Sequence, residues 1–156
     1  MIRVQREDFD AGAELAALTA GRTDIGGVAA FVGLVRDFVE PGAGERPAAI
    51  RAMTLEHYPG MTEKAIAGIE AEAMARWPLR AVTIIHRYGR LEPGDRIVLV
   101  ACAAAHREDA LHACAFLIDW LKTKAPFWKL EDTGDGTRWV RAREADDLRA
   151  QRWEKG

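Results

Sequence analysis

Apolar residues run without a break over positions 97–105 and then recur at Ala110, Cys114, Leu117 and Leu121. The first pattern predicts a buried strand and the second the inward face of a helix. Asp109 falls in that helix's first turn, where the positive helix end favours a carboxylate, and Pro126 ends the helix near Lys124. Upstream, the apolar stretches at 82–88 and 96–102 are joined by Gly89-Arg90-Leu91-Glu92-Pro93-Gly94-Asp95. Such turn chemistry predicts two adjacent antiparallel strands.

The same reading extends to both ends. Ile2 and Val4 alternate with polar neighbours as a short strand does; Asp10 can cap a helix over residues 11–20, stopped by Gly21, with Leu15 and Leu18 facing inward. Residues 27–36 are rich in Val, Ala and Phe with no helical period, which predicts a largely buried strand carrying Arg36 at its far end. Residues 40–47 hold too much Pro and Gly for regular structure, so a loop that orders on binding is expected there. Residues 50–56 read as another strand, and after Pro59-Gly60 a helix runs to Trp77, before Pro78, with Ala65, Ile69, Ala73 and Trp77 as its apolar stripe. Two short strands, 127–131 and 137–140, flank the turn Asp132-Thr133-Gly134-Asp135-Gly136. Residues 141–156 form a charged, partly helical tail anchored by Trp153. With 156 residues, of which 49% are hydrophobic, the chain suits one core and a single domain over 1–156.

Charge narrows the function. Lys and Arg number 22 against 24 Asp and Glu, a net charge of -2, which argues against bulk nucleic acid or an anionic membrane as partner; any anion site is local. The apolar runs are far shorter than a bilayer span and the start lacks a signal peptide's apolar centre, so a cytoplasmic protein is expected. Cys102 and Cys114 read as small buried residues, and no His, Cys or carboxylate spacing resembles a metal site. Neither a metal nor another cofactor is expected.

What remains is cationic. His106 and Arg107 stand at the start of the third helix, Lys122 at its end and Lys129 beyond the turn. Free N–H groups at a helix start, with the Arg107 fork, suit a phosphate or carboxylate. Each residue also has an ordinary reading: a solvated His-Arg pair, a lysine complementing the negative helix end, a strand's outward charge. Their convergence, with Phe127 and Trp128 offering a wall for a flat heterocycle, favours a small anionic ligand. His57 and His86 alternate with strand residues and read as structural.

Taken in order, Phe31-Val32-Gly33-Leu34-Val35-Arg36, Leu55-Glu56-His57-Tyr58-Pro59-Gly60-Met61, Ile85-His86-Arg87-Tyr88-Gly89-Arg90-Leu91 with Pro93-Gly94, Ala105-His106-Arg107 and Leu121-Lys122-Thr123-Lys124-Ala125-Pro126-Phe127-Trp128-Lys129 make the chain resemble the molybdopterin synthase catalytic (large) subunit family over nearly its whole length. The resemblance implies an α+β fold of the hammerhead type, with a mostly antiparallel sheet and about three main helices. It implies a homodimer within a heterotetramer, with a small ubiquitin-like sulfur carrier on each outer side. The carrier's C-terminal Gly-Gly thiocarboxylate would give its sulfur to cyclic pyranopterin monophosphate, two such transfers making the dithiolene of molybdopterin; the nucleophilic sulfur then arrives on the partner. Carried over by position, substrate would be bound by Leu34, Val35, Arg36, His106, Arg107, Lys122, Lys129, Leu130 and Glu131, with Lys122 and Lys129 the catalytic residues and Lys122 central. The chain departs from the family's pattern at Leu130, where a second basic residue is common, and at Ala104, where a hydroxyl residue is frequent. Two rivals stand beside this reading: a non-catalytic adaptor for a ubiquitin-like tail, against which Arg36 and His106 argue, and a single-stranded nucleic-acid binder, which the acidic balance disfavours.

Overall fold

The computed structural model describes residues 1–39, 48–140 and 144–154. In chain order they form β1 (Ile2–Gln5), α1 (Ala11–Thr19), β2 (Gly27–Leu34), β3 (Phe38–Val39), β4 (Ala48–Ala49), β5 (Ala52–His57), α2 (Met61–Arg76), β6 (Leu79–Arg87), β7 (Gly89–Leu91), β8 (Arg96–Ala104), α3 (Arg107–Thr123), β9 (Phe127–Asp132), β10 (Thr137–Val140) and α4 (Glu144–Gln151). One sheet has the order β1-β6-β8-β2, a second β10-β9-β5-β7, and β3 pairs with β4. Only β1 with β6 is parallel; the other pairings among the described residues are antiparallel, giving an α+β fold. The expected loop at 40–47 and the tail residues 141–143 and 155–156 lie outside the described residues.

Period-two alternation explains how the first sheet is covered on both faces. Ile84, Val100 and Cys102 point to the side where Ile66 and Ile69 of α2 and Phe116 and Leu117 of α3 pack. Their chain neighbours Ile85, Leu99 and Ala101 point the other way, onto Phe9 and onto Leu15 and Leu18 of α1. Helix α1 starts where expected, because the Asp10 carboxylate accepts the Ala13 N–H at 3.0 Å. The inward stripe of α3, Ala110, Cys114, Leu117 and Leu121, is buried as its spacing demands.

Three expectations change. The stripe of α2 is buried at Ile66, Ile69 and Ala73, with Ala65 only half-buried, and Thr62 takes the inward place in the first turn. The Thr62 hydroxyl donates to the Pro126 carbonyl at 3.2 Å, tying the start of α2 to the turn between α3 and β9. The link between β6 and β8 is more than a turn: it carries β7, which pairs with β5 and so hooks the second sheet to the first. Strand β2, expected to be largely buried, is an edge strand of the first sheet and leaves Val28, Phe31 and Leu34 37%, 38% and 54% exposed. A continuous apolar run reads the same whether its own chain covers it or a second surface does.

The tail is anchored as its tryptophan suggests. Trp153 packs edge-on against Trp77 and Phe116, and the buried Asp119 carboxylate accepts from Trp153 Nε1 at 2.8 Å and Arg152 Nη2 at 2.7 Å. Asp119→Ala leaves the indole N–H without that acceptor and is expected to cost about 2–3 kcal/mol. A urea-denaturation midpoint equal to that of the unaltered protein would rule this anchoring role out. No helix among the described residues is long and apolar enough to cross a membrane.

Candidate active site

A cavity of about 730 Å³ opens between the last turns of α3, the start of β9 and the far end of β2, a size that suits a small-molecule ligand. Arg36, Lys122 and Lys129 all line it. Sequence distance is bridged by the fold. Lys122 sits in the last turn of α3, the Lys124–Ala125–Pro126 turn reverses the chain, and β9 then brings Phe127 and Lys129 back along the same opening.

Arg36 arrives through a local irregularity. The register of β2 against β8 slips between Gly33 and Leu34, and a Cβ on Gly33 would meet Val98 Cγ1 at 2.8 Å. The bend therefore needs glycine. Beyond it the Val35 N–H bonds the Asp95 carbonyl at 2.9 Å and the Val35 side chain turns inward onto Met53, Leu55 and Leu91. Leu34 and Arg36, on either side of it, are left lining the cavity.

The two lysines are held differently. Lys129 Nζ lies 2.8 Å from Glu131 Oε1, and the buried Glu131 carboxylate also pairs with Arg138 at 3.4 Å. Glu131 thus acts as a counter-ion behind the cavity wall, fixing Lys129. Lys122 is half exposed and its Nζ is 3.7 Å from Asp146 Oδ1 of α4, a looser tether that leaves the ammonium room to move. Leu130 and Val35 do not line the cavity; Leu130 lies between Thr54 and Trp139 in the second sheet.

His106 and Arg107 are not brought to this cavity within one chain. Both are exposed at the start of α3, and with a rise of about 1.5 Å per residue His106 lies about 24 Å along the helix from Lys122. Their helix end already carries Glu108 and Asp109, which complement its dipole, so a separate anion seat there is weakened.

One residue that the pattern marked as structural lines the cavity: His86. Its ring stacks on Phe127 with centroids 3.7 Å apart and planes at 16°, and Nδ1 lies 2.9 Å from the Arg87 carbonyl. A carbonyl only accepts, so Nδ1 carries the proton and Nε2 is the acceptor. Burial, with His57 nearby, holds the ring's pKa down to about 4, so it is neutral at pH 7. The only sequence signal was its position: His86 shares the face of Ile84, which the alternation turns toward α3. Neither cysteine is among the lining residues. Hydrogen bonding with Cys114 and burial push the Cys102 thiol far above its ordinary range, and Cys114 Sγ contacts the Val100 carbonyl at 3.8 Å.

Residues 4–124 match the family model described as MoaE protein. The chain is 56% identical over 154 residues to the molybdopterin synthase catalytic subunit of Pseudomonas aeruginosa, covering 99% of both chains. Among solved structures it is similar to the molybdopterin biosynthesis MoaE protein of Burkholderia ambifaria, with a TM-score of 0.81, 54% identity, and 99% and 97% of the two chains covered. It is also similar to the molybdopterin synthase of Staphylococcus aureus, with a TM-score of 0.79 at 29% identity over 89% of this chain and 96% of that one.

Proposed function

This chain belongs to the MoaE protein family, and from that premise we propose that it is the catalytic subunit of a molybdopterin synthase, moving sulfur from a carrier's C-terminal thiocarboxylate to cyclic pyranopterin monophosphate. The observation that carries the reading is the cavity itself: Arg36, Lys122 and Lys129 converge on apolar walls, and no cysteine or serine stands among the described lining residues. A site rich in cations and lacking its own thiol suits a reaction whose nucleophile enters on another molecule.

The chemistry follows from the groups present. In the first transfer the carrier's thiocarboxylate sulfur bonds to a carbon of the pterin precursor as that carbon's bond to a cyclic-phosphate oxygen breaks, so the phosphate ring opens and a thioester joins carrier and substrate. Water then attacks the carrier's carbonyl, the acyl carbon–sulfur bond breaks, and the carrier leaves as a carboxylate while the sulfur stays on the substrate. Lys122 stabilises the oxyanion of that attack and supplies a proton as the cyclic phosphate opens, while Arg36 offers paired donors to the phosphate. Lys129, fixed by Glu131, holds charge at one point of the wall.

Support for a homodimer comes from β2. This edge strand begins at Gly27, where a Cβ would lie 3.8 Å from Arg107 Cα, and ends at Leu34, two residues before Arg36. In a two-fold antiparallel pairing the start of one strand meets the end of its mate, so a second copy would bring its own His106 and Arg107 to the cavity mouth. Phe31 and Leu34, exposed yet lining the cavity, are the apolar surface such a copy would cover. The small ubiquitin-like carrier would dock on each outer side, giving a heterotetramer in the cytoplasm.

Reconstitution with thiocarboxylated carrier and precursor, read by product fluorescence after oxidation, tests the reading; no product from the folded protein would overturn it. In the same assay Arg107→Ala is expected to weaken precursor binding by about 1.5–3 kcal/mol, the worth of a charge-assisted hydrogen bond. A precursor KM within error of the unaltered protein would remove Arg107 from the site. The adaptor alternative predicts carrier binding without turnover.

A further inference from the structure

The cations of the cavity can satisfy a phosphate, but they cannot satisfy a heterocycle. Arg36, Lys122 and Lys129 only donate hydrogen bonds, and the remaining described side chains on the lining are apolar, with one exception. That exception is His86. A fused nitrogen heterocycle of the pterin class presents ring N–H and amino donors, and burying them without an acceptor costs affinity.

We propose that His86 is the specificity-determining residue for the heterocyclic part of the substrate, its Nε2 accepting a hydrogen bond from an N–H or amino group of that ring. Resting on the reading of the site given above, this assigns to His86 a role in recognition that the cationic residues cannot fill. The geometry prepares it. The Arg87 carbonyl at 2.9 Å fixes the proton on Nδ1, and the stack on Phe127 at 3.7 Å fixes the plane of the ring, so Nε2 is presented as an acceptor without reorganisation. Among the described residues Nε2 has no partner of its own, and it is not among the buried atoms orphaned from hydrogen bonding, which places it against the open cavity. Its neutrality at working pH also matters, because a fourth cation here would repel the donor it is meant to receive.

The test measures binding to the protein without carrier, by titration calorimetry with the phosphorylated pterin precursor. His86→Phe keeps a flat ring on Phe127 and removes the acceptor; about a tenfold loss of affinity is expected, with carrier affinity unchanged. His86→Gln restores an acceptor and should bind within about threefold of the unaltered protein. Equal affinity in the Phe variant, an equally large loss in both variants, or a loss falling on carrier binding would each overturn the assignment. Should the Phe variant not fold, the unaltered protein is titrated with a precursor analogue methylated at the ring N–H and amino groups. About tenfold weaker binding than the precursor supports the role and equal binding overturns it. Product formation by the unaltered protein is scored separately, so a failure of the sulfur-transfer reading and a failure of His86 are told apart.

Discussion

Lys122→Ala is expected to abolish dithiolene formation, lowering the rate by about 10²–10³-fold, the usual cost of deleting one group that stabilises a developing oxyanion. Fold and carrier binding should survive. Lys122 is half exposed at the end of α3, its contact with Asp146 is long at 3.7 Å, and the core packs around its neighbour Leu121. Removing it leaves the mostly buried Asp146 carboxylate still paired with Arg149 at 3.8 Å, so no buried charge is stranded and the loss of stability is small. The contrast with Lys129 sharpens the assignment. That lysine is pinned 2.8 Å from a buried carboxylate, so it can shape the field of the cavity but has less freedom to follow a moving proton. Single-turnover formation of product, with circular dichroism and carrier affinity measured on the same preparation, decides the matter. Turnover equal to that of the unaltered protein would remove Lys122 from the chemistry.

Much of the fold was legible because its signals were local. Asp10 before α1, Pro78 after α2, Pro126 after α3 and the Gly-rich turn before β10 each act within a few residues, and each does what its chemistry dictates. Burial was legible only where a face is covered by the same chain, as along α3. It was misjudged at β2, because the composition of this apolar edge strand does not differ from that of a core strand. The site divides along the same line. Arg36, Lys122 and Lys129 meet within one chain, and the resemblance marked them; Val35, Leu130 and Glu131 proved to stand behind the wall, a distinction that depends on strand register. His86 read as structural since a histidine in an apolar strand is ordinarily a packing residue; its stack with Phe127, forty-one positions on, and its place on the lining show that its face belongs to the cavity.

His106 and Arg107 carry the remaining expected result, because their separation from Lys122 along α3 leaves two outcomes that a single experiment distinguishes. If each site takes Lys122 from one protomer and Arg107 from its mate, two impaired proteins, assayed with precursor well below the KM of the Arg107 variant, should repair one another. Mixing Lys122→Ala with Arg107→Ala at equal concentration, under conditions that let protomers exchange, gives about half mixed dimers. In a mixed dimer one cavity has lost both groups and the other has lost neither. Activity should therefore recover to about a quarter of that of the unaltered protein, from two preparations that are each far below it. A site built from one chain cannot do this, since every cavity in the mixture would still lack Lys122 or Arg107. Recovery no greater than the sum of the separate variants would refute the shared site. On the proposed pairing of two copies through β2, substituting Phe31, which is exposed on that edge and also lines the cavity, with a charged residue should prevent both dimerisation and recovery while leaving the sheet core, built on Ile84 and Val100, in place.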